Sequence, residues 1–441
     1  MADNTSQTVT KDSPLEGWTA KQDGVDYSPT DWVETTLGEV CEKIGDGLHG
    51  TPKYSEDGEY FFINGNNIVN GKIEIKQDTK KIDQIEFDKY KKDLNERTVL
   101  LSINGTIGNL AKYRNEKCIL GKSAAYFNIK NDVSVDFVYY LMFENRFQYD
   151  ISKNANGSTI KNVGLAQLRN YSFLLPPLPE QKAIASVLSS FDDKIELLRE
   201  QNKTLEEMGQ TIFKEWFLPS RQAGGKYGVD DLLAEDSAQA GDLPEGWRVG
   251  KLGEVGQIVC GKTPSKENKE YFGGEIPFIK IPDMHGEVFI VKTEDSLTEL
   301  GANTQKNKFI PKNAICVSCI ATVGLVTITS KDSQTNQQIN SIVPNDGKYL
   351  EYLYFALTNM KSDLLAIGSG GSATLNINTS TFSNIEIMLP NQEVLENFHN
   401  TTNSIFTKIL DNLHEIQSLA RSRDELLPKL MSGAVRVNGF E

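Results

Sequence analysis

Residues 179–217 read PEQKAIASVLSSFDDKIELLREQNKTLEEMGQTIFKEWF, and their apolar positions recur in alternating steps of four and three. Ile184, Leu188, Phe191, Ile195, Leu198, Leu205, Ile212 and Trp216 fall on one stripe, with Asn202 and Gly209 at the two skipped positions. A heptad seam held this long predicts a single helix that pairs with another helix. Pro177 and Pro179 suit its start and Pro219 its stop. At about 1.5 Å per residue it would span roughly 55–60 Å.

The pattern returns 214 residues later. Ile405, Ile409, Ile416, Leu419, Leu426 and Leu430 continue a second seam in the same register, with Thr402, Asn412 and Arg423 on its stripe. Two like helices related by a two-fold axis across their length run in opposite directions. The sequence therefore predicts an intramolecular antiparallel coiled coil.

The repeat reaches beyond the helices. Asp31-Trp32 and Leu37-Gly38-Glu39-Val40 match Gly246-Trp247 and Leu252-Gly253-Glu254-Val255. Gly50-Thr51-Pro52 matches Lys262-Thr263-Pro264 after a drift of three residues, and SINGTIG at 102–108 matches SCIATVG at 318–324. Residues 136–140 match 351–355, and Asn156-Gly157-Ser158 matches Gly370-Gly371-Ser372. Short apolar runs broken by glycine, such as 98–103 and 314–320, read as strands, with a short helix near 135–149 and another near 349–361. The fold class is α+β: two internally repeated, loop-rich β modules separated by two long antiparallel helices forming a coiled coil. The boundaries are an N-terminal extension at 1–31, a first module at 32–178, a central helical spacer at 179–217 and a linker at 218–246. A second module at 247–390, a C-terminal helical spacer at 391–433 and a tail at 434–441 follow.

The net charge of −14 argues at first against a nucleic-acid partner, but its distribution permits one. The extension, central helix and linker carry −4, −3 and −4, whereas the first module is neutral and the second carries −1. Each module is free to present a basic face. Five cysteines without framework spacing fit a reducing compartment, and no run of 18 apolar residues or basic-then-apolar leader is visible, so a cytoplasmic location without a membrane partner is expected.

Catalytic motifs are few. Gly256-Gln257-Ile258-Val259-Cys260-Gly261-Lys262-Thr263 fits the P-loop pattern, but Ile258 and Val259 read as strand and Pro264 stands where a helix should begin. Cys316 and Cys319 form C-x-x-C inside a strand-like run, where alternation sends them to opposite faces, and no further ligands accompany them. No metal site is expected. His49, in the loop Gly45-Asp46-Gly47-Leu48-His49-Gly50-Thr51-Pro52-Lys53, has no Ser or Cys elbow beside it. What remains is a set of polar, amide-rich loops: His49, Lys53, Asn64, Asn66, Asn67, Asn104, Thr106 and Lys122 (beside Ser123) in the first module. The second has Lys262, Ser265, Lys280, Ser318, Thr322, Asn336, Gln337 and Gln338. Asn and Gln bond adenine bidentately, Lys reads guanine or phosphate, and Ser or Thr reads either, so these are the candidate DNA contacts.

In combination with the repeat, several local motifs resemble the specificity subunit of type I restriction–modification enzymes. They are the loop at 45–52, Gly273-Gly274-Glu275-Ile276-Pro277-Phe278 with Asp283-Met284, Ala321-Thr322-Val323-Gly324 and Asn336-Gln337. Leu175-Pro176-Pro177-Leu178-Pro179-Glu180-Gln181 opens the central helix, Phe213-Lys214-Glu215-Trp216-Phe217 ends it, and residues 426–433, LLPKLMSG, close the chain. The second helix departs from the pattern, opening on Leu389-Pro390-Asn391-Gln392-Glu393. The resemblance implies a non-catalytic reader of double-stranded DNA, with each module a target recognition domain for one half of an asymmetric, interrupted sequence. It implies helices that set the spacer and dock two methyltransferase subunits, and restriction subunits with ATP-driven translocation. S-adenosylmethionine, ATP and Mg would sit on those partners, with no cofactor in this chain. A two-armed protein-binding scaffold without DNA specificity is the alternative.

Overall fold

A computed structural model of the chain describes residues 31–153, 155, 161–217, 244–369 and 374–437. The extension before Asp31, most of the expected linker, the matched triplets at 156–158 and 370–372, and the last tail residues lie outside the described residues. The chain divides into two units, Met1–Asp193 with Leu419–Glu441, and Lys194–Ser418.

In the first unit the strands form where β-branched and aromatic residues alternate with turn signals. β1 (Val33–Thr36) pairs antiparallel with β8 (Ser172–Leu175), closing the module on itself at its two ends. Between them lie β2 (Cys41–Asp46), β3 (Tyr60–Ile63), β4 (Thr98–Ser102), β5 (Leu110–Lys112), β6 (Cys118–Leu120) and β7 (Ala124–Ile129). The main sheet has the order β2-β7-β4-β5, all antiparallel, while β3 runs parallel to β6 in a smaller sheet. Along β4, Val99 and Leu101 join one apolar cluster and Leu100 another, so both faces of the sheet are covered. The expected helix near 135–149 is two, α1 (Val135–Phe143) and α2 (Asn145–Lys153), and α1 buries Phe137, Val138, Tyr140, Leu141 and Met142 on the sheet.

The second unit repeats this plan. β9 (Arg248–Lys251) pairs antiparallel with β17 (Glu386–Leu389). β10 (Gly256–Cys260), β11 (Phe272–Ile279), β12 (Phe289–Ile290), β13 (Ile315–Ile320), β14 (Thr322–Thr329), β15 (Gln334–Thr335) and β16 (Ile339–Pro344) follow in the chain. The order β10-β16-β13-β14-β12 matches the first sheet with one parallel edge strand added, and β11 runs parallel to β15 as β3 does to β6. α4 (Tyr349–Asn359) and α5 (Lys361–Gly368) take the places of α1 and α2. The first five residues of the P-loop-like stretch are strand β10, their backbone spent on the ladder to β16, and a loop rather than a helix follows them. Cys316 and Cys319 on β13 face different apolar clusters, as strand alternation requires.

The two long helices are α3 (Leu178–Phe217) and α6 (Gln392–Met431). In the first unit Ile184 and Leu188 pack in one cluster with Leu427, Leu430 and Met431, and Asp192 meets Arg423. In the second, Lys194 pairs with Glu415 at 3.5 Å, Asn412 donates to Asn202 at 2.8 Å, and Phe213 meets Phe398 edge-to-face. Partner numbers fall as α3 advances in both units, so the helices run antiparallel in each. Asn202 and Asn412 are a buried, mutually bonded amide pair inside a mostly apolar seam, the device that fixes register at some cost in stability. Of the other seam residues, Ile195, Leu198, Ile405 and Ile409 are buried, while Phe191, Leu205, Ile212, Ile416, Leu419 and Leu426 are half-buried. Trp216 keeps the expected cross-helix contact, its ring centroid 5.7 Å from that of Phe398 on α6, but it is 37% exposed, and Phe213 and Phe217 beside it are the buried ones. Those two are buried because the end of α3 packs on the second module, against Tyr352 and Phe355, as well as on Phe398 of α6.

The turn after β4 and the turn after β13 share one backbone form. Gly105 has φ +76° and Ala321, its counterpart, φ +64°, the left-handed region that alanine enters at about 1–2 kcal/mol. Ala321→Gly is therefore expected to raise unfolding stability by about 0.5–1 kcal/mol, after the added freedom of the unfolded chain is subtracted. Gly105→Ala, whose Cβ would meet open space, should lower it by about 1 kcal/mol. Chemical denaturation of the two variants checks both signs.

Candidate nucleic-acid interface

Four chain segments meet at one end of the main sheet of the first module: the loop after β2, the turn after β4, the link from β6 to β7, and residues 162–165. Backbone hydrogen bonds hold them. Leu48 N donates to Leu120 O at 2.7 Å, Gly47 N to Ala124 O at 3.2 Å, Ile103 N to Ser123 O at 2.9 Å and Val163 N to Ile103 O at 2.9 Å. The second module has the same four. Lys262 N donates to Thr335 O at 2.9 Å, Gly261 N to Ile339 O at 3.1 Å, Cys319 N to Gln338 O at 2.8 Å and Ile377 N to Cys319 O at 2.9 Å. Gly47 and Gly261 sit where the backbones cross so closely that a Cβ would lie 2.1 Å from a carbonyl oxygen, Leu120 O in one case and Asn336 O in the other. No other residue fits there without moving the crossing strand.

These bonds correct one alignment made from sequence. Matching the Thr-Pro pairs sets Thr51 against Thr263, but the hydrogen bonds set Leu48-His49 against Lys262-Thr263. The first module therefore carries two more residues than the second between this bonded frame and its Thr-Pro.

The frame in the first module encloses a cleft of about 230 Å³ lined by Asp46, His49, Ile103, Asn104, Lys122 and Asn162 with residues 163–165. His49, Asn104 and Lys122 were expected contacts from three separate stretches, and folding brings them together. The Asp46 carboxylate holds His49 Nε2 at 2.6 Å, and Asn104 Nδ2 donates to Asn162 Oδ1 at 3.3 Å. Thr106 and Lys122 are exposed. Lys53 and Asn66 are exposed but outside the cleft lining; Lys76 bonds the Asn66 carbonyl. Asn64 accepts from Ser123 Oγ at 3.0 Å and is half-buried.

Several expected contacts turn out to be internal. Asn67 is buried, donating to Glu74 O and Thr79 Oγ1. Ser318 is fully buried, its Oγ accepting from Leu325 N, so it braces the β13–β14 turn from within. Lys280 is held by Asp295 at 2.9 Å and Glu294 at 3.0 Å, which raise its pKa, keep it protonated and offset its charge. Asn336 is buried, its amide closing a loop with Gln338 N and Gln338 Oε1. Lys262, Ser265, Thr322 and Gln337 stay exposed, and Gln337 Oε1 accepts from Thr263 Oγ1 at 2.7 Å. Asp46, Asn162 and Thr263 were not among the expected contacts. The i, i+3 spacing of Asp46 and His49 was the available sign; Asn162 and Thr263 act through a fold that spacing does not reveal.

Chemically the arrangement is a rim of hydrogen-bond donors and acceptors without an activated nucleophile. Among the described residues, no group of three or more His, Cys, Asp and Glu is placed to hold a metal ion, and no helix is long and apolar enough to cross a membrane.

Behind the first rim lies one titratable brace. Gln148 on α2 donates to Gly108 O, at the end of the turn that carries Asn104 and Thr106. Glu144, at the α1–α2 junction, accepts Gln148 N through its backbone carbonyl, while its side-chain Oε2 is buried without a partner and burial pushes the carboxyl up to about 7. Below about 4.5 the group is neutral folded or unfolded; between 4.5 and 7 only the folded chain keeps the proton, so stability falls as pH rises through that window. Glu144→Gln is expected to remove this fall, gaining about 3 kcal/mol at pH 8 and little at pH 4, as read by denaturation at both pH values.

Comparison with known proteins gives a consistent answer. The family model "Type I restriction modification DNA specificity domain" matches twice, over residues 29–207 and 244–426. The type I restriction enzyme HindI specificity subunit of Haemophilus influenzae is 38% identical over 69% of this chain and 78% of its own length. The MjaIX specificity subunit of Methanocaldococcus jannaschii is 27% identical over 77% of this chain and 78% of its own. The crystal structure of a type I restriction–modification system S subunit from M. genitalium shares the fold, with TM-score 0.52 at 18% identity, covering 91% of this chain and 96% of that one. The twice-matched domain, on two modules built on one hydrogen-bond frame, places the chain in the type I restriction–modification specificity-subunit family.

Proposed function

We propose that this chain reads a bipartite, asymmetric sequence in double-stranded DNA, one half through each module, and carries no catalysis of its own. The observation that supports this most directly is the duplicated frame: the same backbone bonds hold two polar rims whose side chains differ. Equal scaffolds with unequal rims suit two unlike half-sites. The number of helical turns in α3 and α6 then sets the number of base pairs between the halves.

The chemistry belongs to partners. Two methyltransferase subunits dock on the helices, bring S-adenosylmethionine and flip out an adenine for methylation. Restriction subunits supply ATP- and Mg-dependent translocation and cleavage. The excess acid of the helices meets basic partner surfaces rather than phosphate, which reconciles a net charge of −14 with DNA binding. Because the chain lacks the charge to hold phosphate alone, it binds duplex poorly until partners complete the clamp.

Exchanging residues 32–178 for the corresponding module of another family member is expected to change one half-site and leave the other and the spacer intact, read by sequence-selected gel shift with the methyltransferase subunit. A change in both halves contradicts the modular reading. Absence of any sequence-selected shift for the unaltered complex favours the protein-binding scaffold. Inserting one heptad into 179–217 should lengthen the spacer with both half-sites unchanged.

A further inference from the structure

The frame shared by the modules makes their rims comparable residue by residue. Gly121 corresponds to Asn336 and Ser123 to Gln338, because Ala124 N donates to Gly121 O as Ile339 N does to Asn336 O, and Ser123 O and Gln338 O accept equivalent bonds. Lys122 therefore stands where Gln337 stands, and both are exposed. By the same reasoning His49 faces Lys122 from the position that Thr263 takes beside Gln337, and Asp46 corresponds to Cys260. Thr106 and Thr322 are alike on this alignment, as are Asn162 and Asn376, which close equivalent bridges to Asn104 and Ile320.

The like pairs cannot tell two half-sites apart; the unlike ones can. Lys122 brings one ammonium with three N–H donors, suited to the O6 and N7 acceptors of guanine, and beside it His49 is held by Asp46. Gln337 brings an amide, suited to adenine N6 and N7, and the Thr263 hydroxyl, bonded to its Oε1, orients that amide while leaving the second lone pair and the NH₂ group available.

The geometry points to Lys122 and Gln337 as the same reading position used twice, selecting guanine in the half-site of the first module and adenine in that of the second. The assignment rests on the reading of the modules as DNA-binding and adds the base each rim selects.

The test uses the chain with its methyltransferase subunits and mapping of the modified sequence. Lys122→Gln is expected to switch one guanine of the first half-site to adenine, with a roughly ten- to hundred-fold preference, and to leave the second half-site unchanged. Gln337→Lys is expected to make the reverse switch in the second half only. Thr263→Val, which frees the Gln337 amide, should relax the adenine preference at that one position without moving any other. If both exchanges leave the recognised sequence as it was, the base assignment falls while the modular reading stands. If either exchange alters both half-sites, the modular reading itself falls.

Discussion

Four backbone hydrogen bonds, made once in each module, tie the loop after the first strand of the main sheet, the turn that leaves its central strand β4 or β13, the link between the small and large sheets and a distant downstream segment into one rim. Everything proposed for recognition depends on them. They are made by main chain, so they constrain position without constraining the side chains that project from it. Buried backbone donors must be satisfied, which makes the frame expensive to lose, whereas the exposed side chains are free to vary. The glycines at the strand crossing, Gly47 and Gly261, are the sequence's contribution to that frame, since any Cβ would strike a carbonyl.

A second constraint is the antiparallel pairing of the long helices. Apolar burial alone would tolerate a shift of one heptad, because the seam repeats. The buried Asn202–Asn412 pair does not repeat, and a shift would leave two amides unpaired in an apolar seam. In the first unit the Asp192–Arg423 pair, with Tyr140 donating to Asp192 at 2.7 Å, makes a comparable polar lock. Helix and module are joined by the same kind of contact. In the first unit Trp32 donates to Glu180 at 3.0 Å and Arg436 donates to it at 2.8 Å, while in the second Tyr354 donates to Glu206 at 2.6 Å.

Much of this was legible from residues alone. The heptad stripe, its return after 214 residues and the matched motifs were enough for the duplicated α+β plan, because periodicity and repeats survive in the sequence whatever the tertiary detail. The rim was legible only in part. His49, Asn104 and Lys122 carried the residue types a DNA contact needs, but so did Ser318 and Asn67, and only the fold decides that the latter two point inward. The burial of Phe213 and Phe217 was not legible for a related reason. A heptad rule describes a helix with one partner, and the end of α3 has two. The alignment of Gly50-Thr51-Pro52 with Lys262-Thr263-Pro264 failed because a shared dipeptide is a weaker marker of equivalence than a shared hydrogen bond.

The most direct test is to map modified adenines in the genome of cells that express this chain together with type I methyltransferase subunits and to compare them with cells lacking it. The account predicts modification confined to one interrupted sequence with two unlike halves and a fixed gap. Modification of an uninterrupted or palindromic sequence, or the same modified sites in cells without the chain, would contradict it.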